Sequence, residues 1–153
     1  MIYTIKKNRH RSRWIPKLTF RKSIKGTFKF IGDVSYDGNL DTNKLIGLSD
    51  SYHHHVNSIR LGWRWNNGLE LMAICYRNGN REIRPICFIE PDVDYEFSIM
   101  IHKYTYQIMT AGQIQFFTRK SKWWFVRYWL FPFFGGQSKS SKEFKIEINT
   151  RKK

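Results

Sequence analysis

Apolar and polar residues alternate with a period of two from about residue 17 to the end of the chain, and this leaves little room for any fold but a β-sheet one. In 55–65, Ile59, Leu61, Trp63 and Trp65 fall on one face and Ser58, Arg60, Gly62 and Arg64 on the other. Asn66-Asn67-Gly68 and Asn78-Gly79-Asn80 then punctuate two further strands, 69–77 and 81–88, giving a meander with hairpin turns. After the break at Glu90-Pro91-Asp92, Tyr95, Phe97, Ile99 and Ile101 alternate with Glu96, Ser98, Met100 and His102. Further strands are expected at 18–22, 24–31, 104–109, 113–119, 123–131 and 143–149. No segment carries the period of a three-turn helix. Strands this short and this regularly spaced predict an all-β antiparallel sandwich of jelly-roll type, rather than a propeller or a solenoid, for which an internal repeat is missing.

Size and aromatic content agree with one such unit. A chain of 153 residues suits a single core that buries roughly 68–70% of the unfolded surface. Aromatic side chains make up 17% of it, which excludes disordered and low-complexity classes and supplies a large core. Most of Trp63, Trp65, Tyr76, Trp123, Trp124 and Trp129 are therefore assigned to packing. The apolar run 123–134 is too short to span a bilayer and contains Arg127. The charged start of the chain has no apolar stretch of signal-peptide type. No membrane partner is expected. Cys75 and Cys87 fit neither a disulfide framework nor a zinc site and are read as buried thiols.

The net charge of +15 is unevenly placed. Residues 1–32 carry +10 with no acid, residues 33–116 carry −3, and residues 117–153 carry +8. The organisation expected is a basic N-terminal arm, 1–16, on a single sandwich domain, 17–153. Lys6, Lys7, Arg9, Arg11, Arg13, Trp14, Lys17, Phe20, Arg21 and Lys22 combine cations with aromatic anchors and form the candidate partner-binding segment. Cations for phosphates and rings for bases also make nucleic acid a possible partner, although no known nucleic-acid-binding motif is matched.

Asp50, His53, His55 and Arg64 are the candidate ligand-binding residues. If 53–55 begins a strand, His53 and His55 share a side and could meet one ion with Asp50, but no further ligand lies at set spacing, so no metal and no cofactor are assigned. Eliminative cleavage of a uronate polymer needs a His or Tyr base beside cations that neutralise the carboxylate. His55, Arg60, Arg64 and Tyr76 fit that description. No motif selects them, and the expectation is a protein that is not an enzyme.

Three segments carry a resemblance: Gly47-Leu48-Ser49-Asp50-Ser51-Tyr52-His53-His54-His55, Asn57-Ser58-Ile59-Arg60-Leu61-Gly62-Trp63-Arg64-Trp65 and Arg127-Tyr128-Trp129-Leu130-Phe131-Pro132-Phe133-Phe134-Gly135-Gly136. They are similar to small jelly-roll proteins of concanavalin-like or polysaccharide-lyase-like type from gut bacteria and their tailed phages. The resemblance covers 44–149 and implies an antiparallel sandwich with an aromatic-Pro-Phe-Gly-Gly corner before the closing strand. The Ser/Lys-rich loop 137–142 departs from it. Together these features favour an accessory or structural virion protein of a tailed phage, made in the bacterial cytoplasm and held to other subunits of a large assembly by its basic ends. A carbohydrate-binding module with glycan partners is the alternative, followed by a nucleic-acid-associated basic protein.

Overall fold

The computed structural model describes residues 1–12, 16–37, 41–121 and 125–151. Among these the chain is all β, in twelve strands: β1 (Ile2–Ile5), β2 (Lys17–Thr19), β3 (Ser23–Ile31), β4 (Asn43–Ser49), β5 (Asn57–Trp65), β6 (Leu69–Arg77), β7 (Asn80–Ile89), β8 (Tyr95–Ile101), β9 (Thr105–Thr110), β10 (Gln113–Thr118), β11 (Arg127–Leu130) and β12 (Phe144–Thr150). They form two six-stranded antiparallel sheets, ordered β1-β12-β3-β8-β9-β10 and β2-β11-β4-β5-β6-β7. The expected antiparallel sandwich is the fold the chain adopts.

The alternating residues meet between the sheets. Phe28, Phe30, Phe97, Phe117 and Phe144 come from the first sheet, and Leu48, Ile59, Leu61, Trp63, Leu71 and Ala73 from the second. Trp63 lies at the centre with no exposed surface, ringed by Phe30 at 5.0 Å, Phe144 at 5.3 Å, Tyr36 at 5.8 Å and Phe134 at 6.0 Å between centroids. Tyr76 is buried by the second sheet's outer face, and Trp65 and Trp129 pack partly against the core. Trp123 and Trp124 lie outside the described residues. Cys75 is buried, Cys87 is half-buried, and both thiols are free.

The strand Asn43–Ser49 is buried at every position, so period two is invisible there and the sequence reading passes over it. Residues 2–5, inside the segment expected as an arm, are an edge strand on β12, in register from Ile2 opposite Glu147 to Ile5 opposite Phe144. Further along, Arg11 bridges to Phe133, and Phe133 in turn bridges to Lys44. Residues 10–12 and 132–134 thus extend the second sheet past the start of β4, with Lys44 N donating to Phe133 O at 2.8 Å and Phe134 N to His10 O at 2.7 Å.

Candidate functional site

The outer face of the second sheet is lined by the residues that alternate with the core: Ser58, Arg60, Gly62 and Arg64 on β5, and Glu70, Met72, Ile74 and Tyr76 on β6. A half-exposed polar face is the expectation from sequence, but Arg60, Glu70, Met72, Ile74 and Tyr76 are all buried. Met72, Ile74 and Tyr76 form a small second apolar cluster with Ile83 of β7. Arg64 and Arg81 stand in one lining with Met72 and Ile83, and His55, from the turn before β5, lies against Tyr76.

Arg60 is the centre of this face. It is 4% exposed, and its Nε has no hydrogen-bond partner among the described residues. Among the described residues no carboxylate pairs with it, and burial draws its pKa down to about 10. Its stem crosses β4 at Gly47, where a Cβ would stand 2.6 Å from Arg60 Cγ and 2.5 Å from Ile59 O. Only glycine leaves that path open. Lys44 approaches from the same strand, donating from Nζ to Gly135 O at 2.9 Å and lying 5.6 Å from the Phe133 ring. Burial, with Arg60 and Arg81 adding repulsion, lowers its pKa to about 8.

Two imidazoles complete the cluster. Residues 53–56 are a turn, closed by Val56 N donating to His53 O at 2.9 Å. Strand alternation therefore does not apply to them. His53 faces solvent beside Tyr52 at 5.7 Å, whereas the neighbours His54 and His55 meet at 4.2 Å. The His55 ring lies 5.1 Å from that of Tyr76. Burial, then the charges of Arg60, His55, Arg11 and Lys44, push His54 down to about 3. The pKa of His55 is lowered by burial and by Arg60, Lys44 and Arg81. Both rings are neutral at neutral pH, and each is a proton acceptor held among cations.

The sequence-predicted residues divide accordingly. His55 belongs to the cluster. Arg64 lies on the same face, four residues along β5 from Arg60, with Nε donating to Glu70 Oε2 at 2.6 Å. Asp50 is elsewhere, its side chain wholly buried, accepting from Tyr106 Oη at 2.5 Å and Arg119 Nε at 2.8 Å with Arg127 Nε at 3.4 Å. It neutralises internal arginines and does not join the imidazoles. Lys6, Lys7, Arg9, Lys17, Phe20, Arg21 and Lys22 are exposed. Arg11 is also exposed and lies over the Phe133 ring at 5.8 Å, within electrostatic reach of His54. Arg13 and Trp14 fall outside the described residues. Sequence reasoning missed Lys44, His54 and Arg81. The signal for Lys44 was a lone charge at the head of an apolar run, Leu45 to Leu48, and for His54 there was none once 53–55 was read as extended.

No protein-family model matches this chain, and no curated protein matches it. Solved structures do. The fold is similar to a functionally unknown protein from Saccharomyces cerevisiae, with a TM-score of 0.57, 10% identity, and coverage of 89% of this chain and 72% of that one. It is similar to the alginate lyase from Klebsiella pneumoniae, with a TM-score of 0.61, 7% identity, and coverage of 84% and 59%. A family 7 alginate lyase in complex with product gives 0.56, 9%, and coverage of 82% and 58%. The chain thus spans less than two thirds of the length of either lyase. These likenesses show that the chain has a jelly-roll β-sandwich fold. They also correct the expectation of a protein that is not an enzyme, because its fold is one that alginate lyases share.

Proposed function

We propose that this protein binds a uronate-bearing polysaccharide on the outer face of its second sheet and cleaves it by β-elimination. The observation that carries the reading is the Arg60 guanidinium, buried with an unpartnered Nε beside His54, His55 and Tyr76. Burying a cation without a counterion costs several kcal/mol, and a ligand carboxylate would recover it. The same contact acidifies the carbon next to that carboxylate by stabilising the charge that builds up when its proton leaves. Neutral His55 takes the proton from C5, and the phenol of Tyr76 gives one to the leaving O4. The C5–H and C4–O4 bonds break, and a C4–C5 double bond forms in conjugation with the carboxylate. Lys44 and Arg81 add positive charge around the developing anion. The alginate lyases that share the fold make this chemistry compatible with the sandwich. Arg11, brought to the same face by its pairing with Phe133, gives part of the basic N-terminal segment a role within the chain itself.

The test is incubation of the full chain with alginate, hyaluronan and deacylated gellan, following the ultraviolet absorbance of the unsaturated product. Product is expected with at least one polymer. His55→Ala and Tyr76→Phe should each lower its rate by about 10²-fold or more, and Arg60→Met should abolish binding. Absence of unsaturated product from every polymer, together with binding unchanged by Arg60→Met, would overturn the reading.

A further inference from the structure

Beside the Arg60 cluster the same face opens into a cavity of about 340 Å³, lined by Asp41, Thr42, Arg64, Met72, Arg81, Ile83 and Pro85. Arg81 joins the two, since it lines the cavity and its charge also reaches Lys44 and His55. Arg60 and Arg64 are four residues apart on one strand face, about 13 Å by the rise of a strand. A chain lying along β5 with one unit against Arg60 therefore places a later unit in this cavity.

The chemistry of the two positions differs. At Arg60 a buried cation has no carboxylate partner among the described residues. In the cavity the charge of Arg64 is already answered by Glu70 at 2.6 Å, and the Asp41 carboxylate stands in the same lining as Arg81. A second ligand carboxylate placed there would meet the Asp41 carboxylate as well as Arg81, a mixed setting that favours it far less than Arg60 does, and like-charge contacts of this kind exclude wrong partners. An uncharged sugar ring meets none of this opposition. Its C–H face can lie on Met72, Ile83 and Pro85, and its hydroxyls can donate to Asp41, a charge-assisted bond, and exchange hydrogen bonds with Thr42.

We infer that the ligand is a heteropolysaccharide in which uronates are interspersed with uncharged sugars, the uronate bound at Arg60 and an uncharged unit in the Asp41–Arg64 cavity, rather than a polymer of uronate alone. This rests on the function proposed above and narrows its substrate class.

The experiment is calorimetric titration of the full chain with length-matched oligosaccharides of hyaluronan, deacylated gellan and polymannuronate at one ionic strength, for the wild type and Asp41→Asn. General attraction to a basic protein favours polymannuronate, which carries the most charge. The inference instead expects gellan fragments, in which three uncharged sugars separate successive uronates, to bind about tenfold tighter than polymannuronate, a ratio well resolved by titration. Asp41→Asn should narrow that gap from both sides, weakening the mixed oligosaccharide and strengthening polymannuronate. Tighter binding of polymannuronate by the wild type would overturn the inference and leave the proposed function standing, as would a wild-type gap that Asp41→Asn does not change. Failure of all three to bind would overturn the proposed function and this inference with it.

Discussion

Arg60 and Asp50 show how differently one fold treats buried charge. Asp50 is met by Tyr106, Arg119 and Arg127, and its nearness, added to the effect of burial, pushes the Tyr106 hydroxyl well above the usual phenol range. Among the described residues Arg60 has no carboxylate partner. Replacing a buried charge by an apolar group of similar volume is often stabilising by about 1–4 kcal/mol, and methionine fills the path over Gly47 without strain. Arg60→Met is accordingly expected to raise the unfolding free energy by about 1–3 kcal/mol in chemical denaturation while removing oligosaccharide binding. A fall in stability would mean that Arg60 is held by the fold for its own sake. At this scale the sequence was half legible. Alternation placed Arg60 and Arg64 on one face, and a uronate-cleaving set could be drawn from them with His55 and Tyr76. It could not reveal that Arg60 has no carboxylate partner among the described residues while Arg64 has one, because Glu70 and Arg64 are brought opposite each other only by the β5–β6 register.

Elements were read best where one face is buried and the other wet. The strands β5, β6 and β8 stand within two residues of their expected bounds, since alternation and Asn/Gly turns both mark them. The strand β4 escaped because both its faces are covered, and the turn at 53–56 escaped because three consecutive histidines carry no Gly or Pro signal. Turn chemistry also shows where the chain departs from its own best choice. The two-residue turn Asn78-Gly79 has φ of 51° and 83°, the left-handed pair that a tight hairpin requires and that these residues favour. The β9–β10 turn uses Ala111-Gly112 at φ of 47° and 73°, and an alanine there costs about 1 kcal/mol. Ala111→Asn should therefore raise stability by about 0.5–1 kcal/mol, whereas Ala111→Val, β-branched at positive φ, should lower it by at least as much. Thermal melts of the two variants beside wild type check the sign. Equal melting temperatures would show that the hairpin does not hold this backbone in solution.

Across the whole molecule, a net charge of +15 attracts any polyanion at low salt, so binding alone says little about a site. The exposed cations Lys6, Lys7, Arg9, Lys17, Arg21 and Lys22 act through solvent, and their pull is screened over about 8–10 Å at physiological ionic strength. Lys44 and Arg60 act from within the sheet's covered face and are screened far less. Lys44 also brings a pH dependence of its own, because its pKa is about 8, lowered by burial and by the charges of Arg60 and Arg81. The sign follows directly. Below pH 8 Lys44 is an ammonium that favours a bound anion, and as pH rises through 8 it becomes a neutral amine and that attraction is lost. Affinity for a uronate oligosaccharide, measured in high salt to suppress the exposed cations, should fall between pH 7 and pH 9 by on the order of tenfold, the scale of about one and a half kcal/mol of lost attraction. Lys44→Arg keeps its charge throughout that range and should flatten the profile. A wild-type affinity constant with pH under those conditions would remove Lys44 from the site. A fall that persists in Lys44→Arg would assign the titration to another group on the face.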